Sequence, residues 1–134
     1  MTKKQITQLS YDITGIAISV HKELGAGLLE SVYEKCMIYE LTSKGYEVSQ
    51  QLSTPVIYKG IIINTRLKLD LLVNDCIIIE LKTVEVILPI HVAQLYTYMR
   101  ILKKPHGLLI NFLTKNIRSS MKSLVNDHFS NLPD

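Results

Sequence analysis

The 134-residue sequence is poor in cysteine, with Cys36 and Cys76 each among apolar neighbours at a spacing that matches no metal motif. A disulfide scaffold is excluded, and both thiols are expected to be reduced core filler. No stretch approaches the roughly 18 consecutive apolar residues that a membrane span needs. The opening "MTKKQITQLSYDITGIAISVHKEL" carries lysines, but polar residues and His21 interrupt any apolar segment, so no secretory signal is expected. These absences lead to the expectation of a cytoplasmic protein. Internal repeats, linkers and low-complexity segments are also missing, and a single domain over residues 1–134 is expected. Neither sign of charge dominates. A formal net charge of +3 permits nucleic-acid binding without requiring it, and the basic residues are scattered along the chain.

What is present is the composition of a packed protein, 47% hydrophobic and 20% charged, which argues against disorder. Ile6, Leu9, Ile13, Ile16, Ala17 and Val20 recur at helical spacing and predict a helix over residues 5–24, broken by "GAG" at 25–27. Leu28, Leu29, Val32, Tyr33, Cys36, Met37 and Leu41 repeat the pattern until Gly45 ends a second helix, over 27–44. "YEVSQQLSTPVIYKG" reads as strand, with Pro55 suited to an edge position or a bulge. "RLKLDLLVNDCIIIELK" reads as strand, turn and strand. "LPIHVAQLYTYMRIL" at 88–102 is helical, "HGLLINFL" at 106–113 is a strand covered on both faces, and "NIRSSMKSLVNDHF" reads as one final helix.

The hairpin carries an oddity. A run as apolar as a buried β-hairpin holds Asp70, Glu80 and Lys82, although buried charges are costly unless paired or bound. Side chains alternate along a strand, so Glu80 and Lys82 share a face. A two-residue turn at Asn74-Asp75 would pair Asp70 with Ile79 and send the two acids to opposite faces. A three-residue connection over 74–76, or a bulge, would pair Asp70 with Glu80 and gather all three charges. In that register the two carboxylates repel unless a cation lies between them, and hard oxygen ligands suit Mg²⁺ or Mn²⁺. Lys82 would then orient a water or balance a phosphate, an arrangement suited to phosphodiester hydrolysis. The competing reading is a Lys82–carboxylate ion pair at a strand end with the other acid solvated. His91, Gln94 and Tyr98, at i, i+3 and i+7, form a polar stripe on the following helix. That stripe is either an exposed face or a surface able to reach a phosphate backbone.

Asp70 followed by "ELK" (Glu80, Leu81, Lys82) resembles the diagnostic of the PD-(D/E)XK nuclease superfamily, an acid on one strand and (D/E)-x-K on the next. "QLYTY", Gln94 to Tyr98, resembles the Q-x-x-x-Y element of its RecB-like members. "GLLESVY", Gly27 to Tyr33, is similar to the signature of the small bacterial GxxExxY proteins, which are grouped with those nucleases. "VHKELGAGLLESVYE", "RLKLDLLV", "IIIELKTVE" and "HVAQLYTYMR" extend that likeness over almost the whole chain.

The resemblance implies an α/β, restriction-endonuclease-like core of helix, three-stranded meander, helix and strand, in a mixed central sheet flanked by helices. It implies a Mg²⁺- or Mn²⁺-dependent nuclease acting on nucleic acid, DNA above all. Asp70, Glu80 and the Leu81 carbonyl would hold the metal, with Glu30 completing the acidic cluster. Lys82 would position the attacking water, and Gln94 and Tyr98 would orient substrate. Glu34 and His21 are rivals of Glu30, and Tyr33 reads as core packing. The alternative is a binding or regulatory module on the same fold, without turnover. A homodimer or protein partner would supply specificity in either case.

Overall fold

The computed structural model describes residues 1–134, the side chains of Thr65 and Arg66 excepted. Helix α1 (Lys3–Leu24) buries the stripe Ile6, Leu9, Ile13, Ile16, Ala17 and Val20. Its start is fixed by a reciprocal cap. The Gln5 N–H donates to Thr2 Oγ1 at 3.1 Å, and Gln5 Oε1 accepts the Thr2 N–H at 2.8 Å. Gly25, at φ 75°, ends it in a conformation that favours glycine. Helix α2 (Glu30–Ser43) follows and buries Tyr33, Met37 and Leu41.

Strands β1 (Val48–Tyr58), β2 (Ile61–Val73) and β3 (Ile77–Lys82) form an antiparallel meander. Pro55 lies on an edge strand, and the pairing register shifts between Pro55 and Val56. Pro55 thus sits where a missing N–H costs the ladder least. Helix α3 (Pro89–Leu102) crosses to β4 (His106–Asn111), which runs parallel beside β3. With β5 (Lys122–Val125) the sheet has the order β1-β2-β3-β4-β5. This is the expected restriction-endonuclease-like arrangement, a mixed sheet flanked by helices.

Two cores enclose the sheet. On one face α1 and α2 pack on Leu71, Ile77, Ile79, Leu81, Leu108 and Ile110. On the other, Leu95 and Met99 of α3 pack on Leu69, Leu72, Ile78 and Leu109. Gly107 sets that second contact, because a Cβ there would lie 2.7 Å from Met99 Sδ and 3.0 Å from Leu95 Cγ. The central strands are therefore buried on both faces, which is why "IIIELK" and "HGLLIN" read as nearly unbroken apolar runs.

The tail corrects the sequence reading. In place of one helix it forms a short helix α4 (Ile117–Ser120), strand β5 and a short helix α5 (Asp127–Ser130). Ile117, Met121 and Leu124 have helical spacing, but the open edge of β4 competes for the chain. β5 pairs with it antiparallel from His106↔Val125 to Leu109↔Lys122. Asn116 and Asn126 cap the two short helices, their side-chain oxygens accepting from Ser119 and from His128 and Phe129. Among the described residues no helix is long and apolar enough to cross a membrane.

Candidate functional site

The site begins at the turn. Val73 O accepts the Cys76 N–H at 3.0 Å, and Asn74 and Asp75 within the turn both have left-handed φ, 50° and 55°. Pairing resumes with Val73 opposite Ile77, so Cys76 is the extra residue that sets a three-residue connection. Continued from Leu71↔Ile79, that register places Asp70 opposite Glu80.

Side chains then replace the ladder. The Leu81 N–H donates to Asp70 Oδ2 at 2.8 Å, and the Asp70 N–H points to Glu80 Oε1 at 3.4 Å. Glu80 is 9% exposed, whereas Asp70 and Lys82 are half-buried. Burial, and then the Asp70 charge, push the Glu80 carboxyl up to about 8 against the smaller opposing pull of Lys82. Among the described residues the ion pairs are Lys3–Asp134 and Lys104–Asp75, so Lys82 is not locked to either acid as the competing reading required.

Glu30, the first residue of α2, reaches the strand ends from the other side of the sheet. Its carboxyl is raised by burial and by Asp70, and lowered by Lys82 and the Thr83 backbone N–H. Glu34 is turned elsewhere, accepting from Gln51 Nε2 at 2.8 and 3.0 Å. His21 is also engaged away from the acids, with Nε2 2.8 Å from Thr114 O.

On α3 the polar stripe divides. Tyr98 is half-buried, and its hydroxyl is raised by burial and then by the charges of Glu80 and Asp70. Gln94, one turn earlier, is exposed and makes no side-chain hydrogen bond among the described residues. His91 serves its own helix, Nδ1 accepting the Leu88 N–H at 3.0 Å.

Two residues support this geometry in ways the sequence reading missed. Asn111 is 2% exposed, and its amide binds both backbone groups of Val84. Nδ2 donates to Val84 O at 2.7 Å, and Oδ1 accepts the Val84 N–H at 3.2 Å and the Leu113 N–H at 3.1 Å. With Phe112 N–H donating to Lys82 O at 2.9 Å, this fixes the chain as it leaves Lys82. A lone asparagine in the apolar run "HGLLINFL" was the available signal. Tyr33 is core packing, as expected, stacked on Phe112 at 4.2 Å between centroids. Its hydroxyl does more, donating to Gly25 O at 2.7 Å and accepting the Leu28 N–H at 3.1 Å, which pins the loop that delivers Glu30.

No three His, Cys, Asp or Glu side chains among the described residues converge as a metal-holding group, so Glu30 does not join Asp70 and Glu80 as the third acid that the resemblance implies. The donor set present is smaller: two opposed carboxylates, and the Leu81 carbonyl, which strand geometry turns to the same side as the Leu81 N–H bound by Asp70. One or two carboxylates with retained waters is the usual demand of Mg²⁺, so the pair fits a hard divalent cation.

A family model described as the PD-(D/E)XK nuclease superfamily matches residues 7–124. Comparison with curated proteins returned no match. Among solved structures, the chain is similar to the crystal structure of SSO0001, with a TM-score of 0.56 and 19% identity over 72% of this chain and 50% of that one. The chain thus spans half the length of that protein, and the likeness speaks for the fold alone.

Proposed function

The chain belongs to the PD-(D/E)XK nuclease superfamily, and from that premise we propose a Mg²⁺- or Mn²⁺-dependent nuclease whose substrate is DNA. One observation carries the reading: two carboxylates on opposed strands share a face, and one of them is pushed up to about 8. An acid kept largely neutral at pH 7 beside another acid is the environment in which a bound divalent cation is favoured. The chemistry such a cation supplies is Lewis-acid polarisation of a phosphoryl oxygen and activation of a water.

Asp70, Glu80 and the Leu81 carbonyl are the proposed ligands. Lys82 Nζ orients the attacking water and balances charge on the phosphate. Glu30 adds negative potential at the strand ends, and Tyr98 and Gln94 orient the substrate strand from α3. Gly27, Glu30 and Tyr33 support the narrower likeness to the GxxExxY proteins, and the Gln94 and Tyr98 pair supports the likeness to RecB-like members. A single domain in the cytoplasm, with a homodimer or protein partner supplying specificity, completes the proposal.

The second reading is a binding module on the same fold, without turnover. The deciding experiment incubates the protein with supercoiled DNA, linear duplex, single strand and RNA, with Mn²⁺, Mg²⁺ or EDTA. Metal-dependent cleavage of DNA that is lost in Asp70→Asn supports the nuclease. Binding without cleavage in any metal supports the module.

A further inference from the structure

The C-terminal turn of α1 and the segment after β4 enclose a concavity of about 360 Å³, within the size range of ligand sites. Ile18, His21, Lys22, Lys115, Asn116 and Arg118 line it, and no carboxylate does. Lys22 is far in sequence from Lys115 and Arg118, so the fold alone assembles this charge. Among the described residues none of these three cations is in an ion pair. Arg118 is held by an aromatic ring instead, its guanidinium 5.9 Å from the Tyr11 centroid. Unpaired cations gathered around one hollow repel one another, and a bound anion relieves that repulsion.

The position of the hollow indicates which anion. Phe112 connects it to the acids: its N–H donates to Lys82 O at 2.9 Å, and its ring lies 6.4 Å from that of His21. The hollow therefore sits at the same end of β3 and β4 as Asp70, Glu80 and Lys82, on the α1 side of the sheet. Ligands of open α/β sheets gather at the carboxyl ends of strands. An Arg fork with two Lys ammoniums is a phosphate-recognising set.

We propose that this concavity binds phosphate groups, those of a nucleic-acid backbone that extends beyond the cleavage site. The backbone source rests on the nuclease reading; the phosphate site itself does not. The probe is a labelled duplex or single strand, with binding followed by fluorescence anisotropy in EDTA, so no turnover is involved. Lys22→Ala with Lys115→Ala, both exposed and outside the core, is expected to weaken binding about tenfold and to lower the slope of log affinity against log salt by about 2. Adding Arg118→Gln weakens it further. A control of equal charge change, Lys35→Ala with Lys44→Ala, is expected to retain most of the affinity. Equal losses in both double variants, or no loss in either, overturns the proposal. Inorganic pyrophosphate separates the sources. If it stabilises the wild type but not the Lys22/Lys115 variant while neither nucleic acid binds, the phosphate site stands and the backbone clause falls. A protein that binds DNA here yet cleaves nothing keeps this inference and removes the nuclease.

Discussion

Asp70 and Glu80 face each other where β2 and β3 part: backbone pairing runs to Leu71↔Ile79, and beyond it the Leu81 N–H turns to Asp70 Oδ2 at 2.8 Å. A carboxylate thus substitutes for a strand partner and closes the ladder. The same contact holds it within reach of a second, more deeply buried acid. The sheet is opened where the charges gather, and burial together with the Asp70 charge competes with ionisation of Glu80.

That competition has a pH signature. Glu80 is raised from 4.5 to about 8, so the folded state holds its proton more tightly than the unfolded chain. Its contribution is fully present below 4.5 and is lost as pH rises to about 8. His106, buried and lowered from 6.5 to about 4, acts oppositely, its contribution being lost as pH falls from 6.5 towards 4. The two offset each other between 4.5 and 6.5. The metal-free protein should therefore lose stability between pH 6.5 and 8, a fall that Glu80→Gln flattens. Chemical denaturation across that window checks it; an equal slope in the variant contradicts it.

Lys82 separates binding from chemistry. Lys82→Ala should keep the stabilisation by Mn²⁺, since Lys82 is no ligand, and should cut cleavage by at least about 100-fold, the scale of one positioned electrostatic donor. Cleavage rates and melts on the same preparation check it. Loss of the Mn²⁺ response would make Lys82 part of the metal-holding geometry instead.

Much of this is legible in the sequence. Periodicity gave α1 and α3 nearly to their ends, whereas α2 starts at Glu30 rather than 27, because Leu28 and Leu29, counted into its stripe, precede the helix and are exposed. The hairpin register was open, since a two-residue and a three-residue connection fit "VNDCI" equally. The left-handed pair Asn74-Asp75 with the extra Cys76 decided it. The tail was misread because helical spacing says nothing about the free edge of a strand far back in sequence. The basic hollow was invisible for the same reason, as Lys22 and Lys115 meet only in space. Asn111 was overlooked because its partners, the backbone groups of Val84, have no sequence signature.

Asn111→Leu should destabilise the protein by about 1 kcal/mol or more, since it removes three hydrogen bonds to the partly buried backbone groups of Val84 and Leu113. It should also weaken cleavage more than the stability loss explains, because the chain after Lys82 loses its anchor. Thermal melts with cleavage assayed well below the variant's Tm check it; wild-type cleavage by folded variant would limit Asn111 to stability.

Gly107→Ala should cost about 1–3 kcal/mol by overpacking against Met99 and Leu95. Met99→Ala carries a cavity cost of its own, but in the double variant the two losses should sum to less than their separate values. A double-mutant cycle reads the coupling, and strict additivity would mean that α3 is not held at this contact.

The cation that Asp70 and Glu80 are proposed to share is tested most directly by thermal melts of wild type and Asp70→Asn with and without Mn²⁺. A ligand that binds only the native state stabilises it by about 2.7 kcal/mol at 100 times its dissociation constant. The wild type should gain several degrees in Tm with Mn²⁺. Asp70→Asn should be at least as stable as wild type without metal, because carboxylate repulsion is relieved, and should gain nothing with it. A wild-type melt indifferent to millimolar Mn²⁺, together with a metal-free Asp70→Asn less stable than wild type, would contradict the shared site.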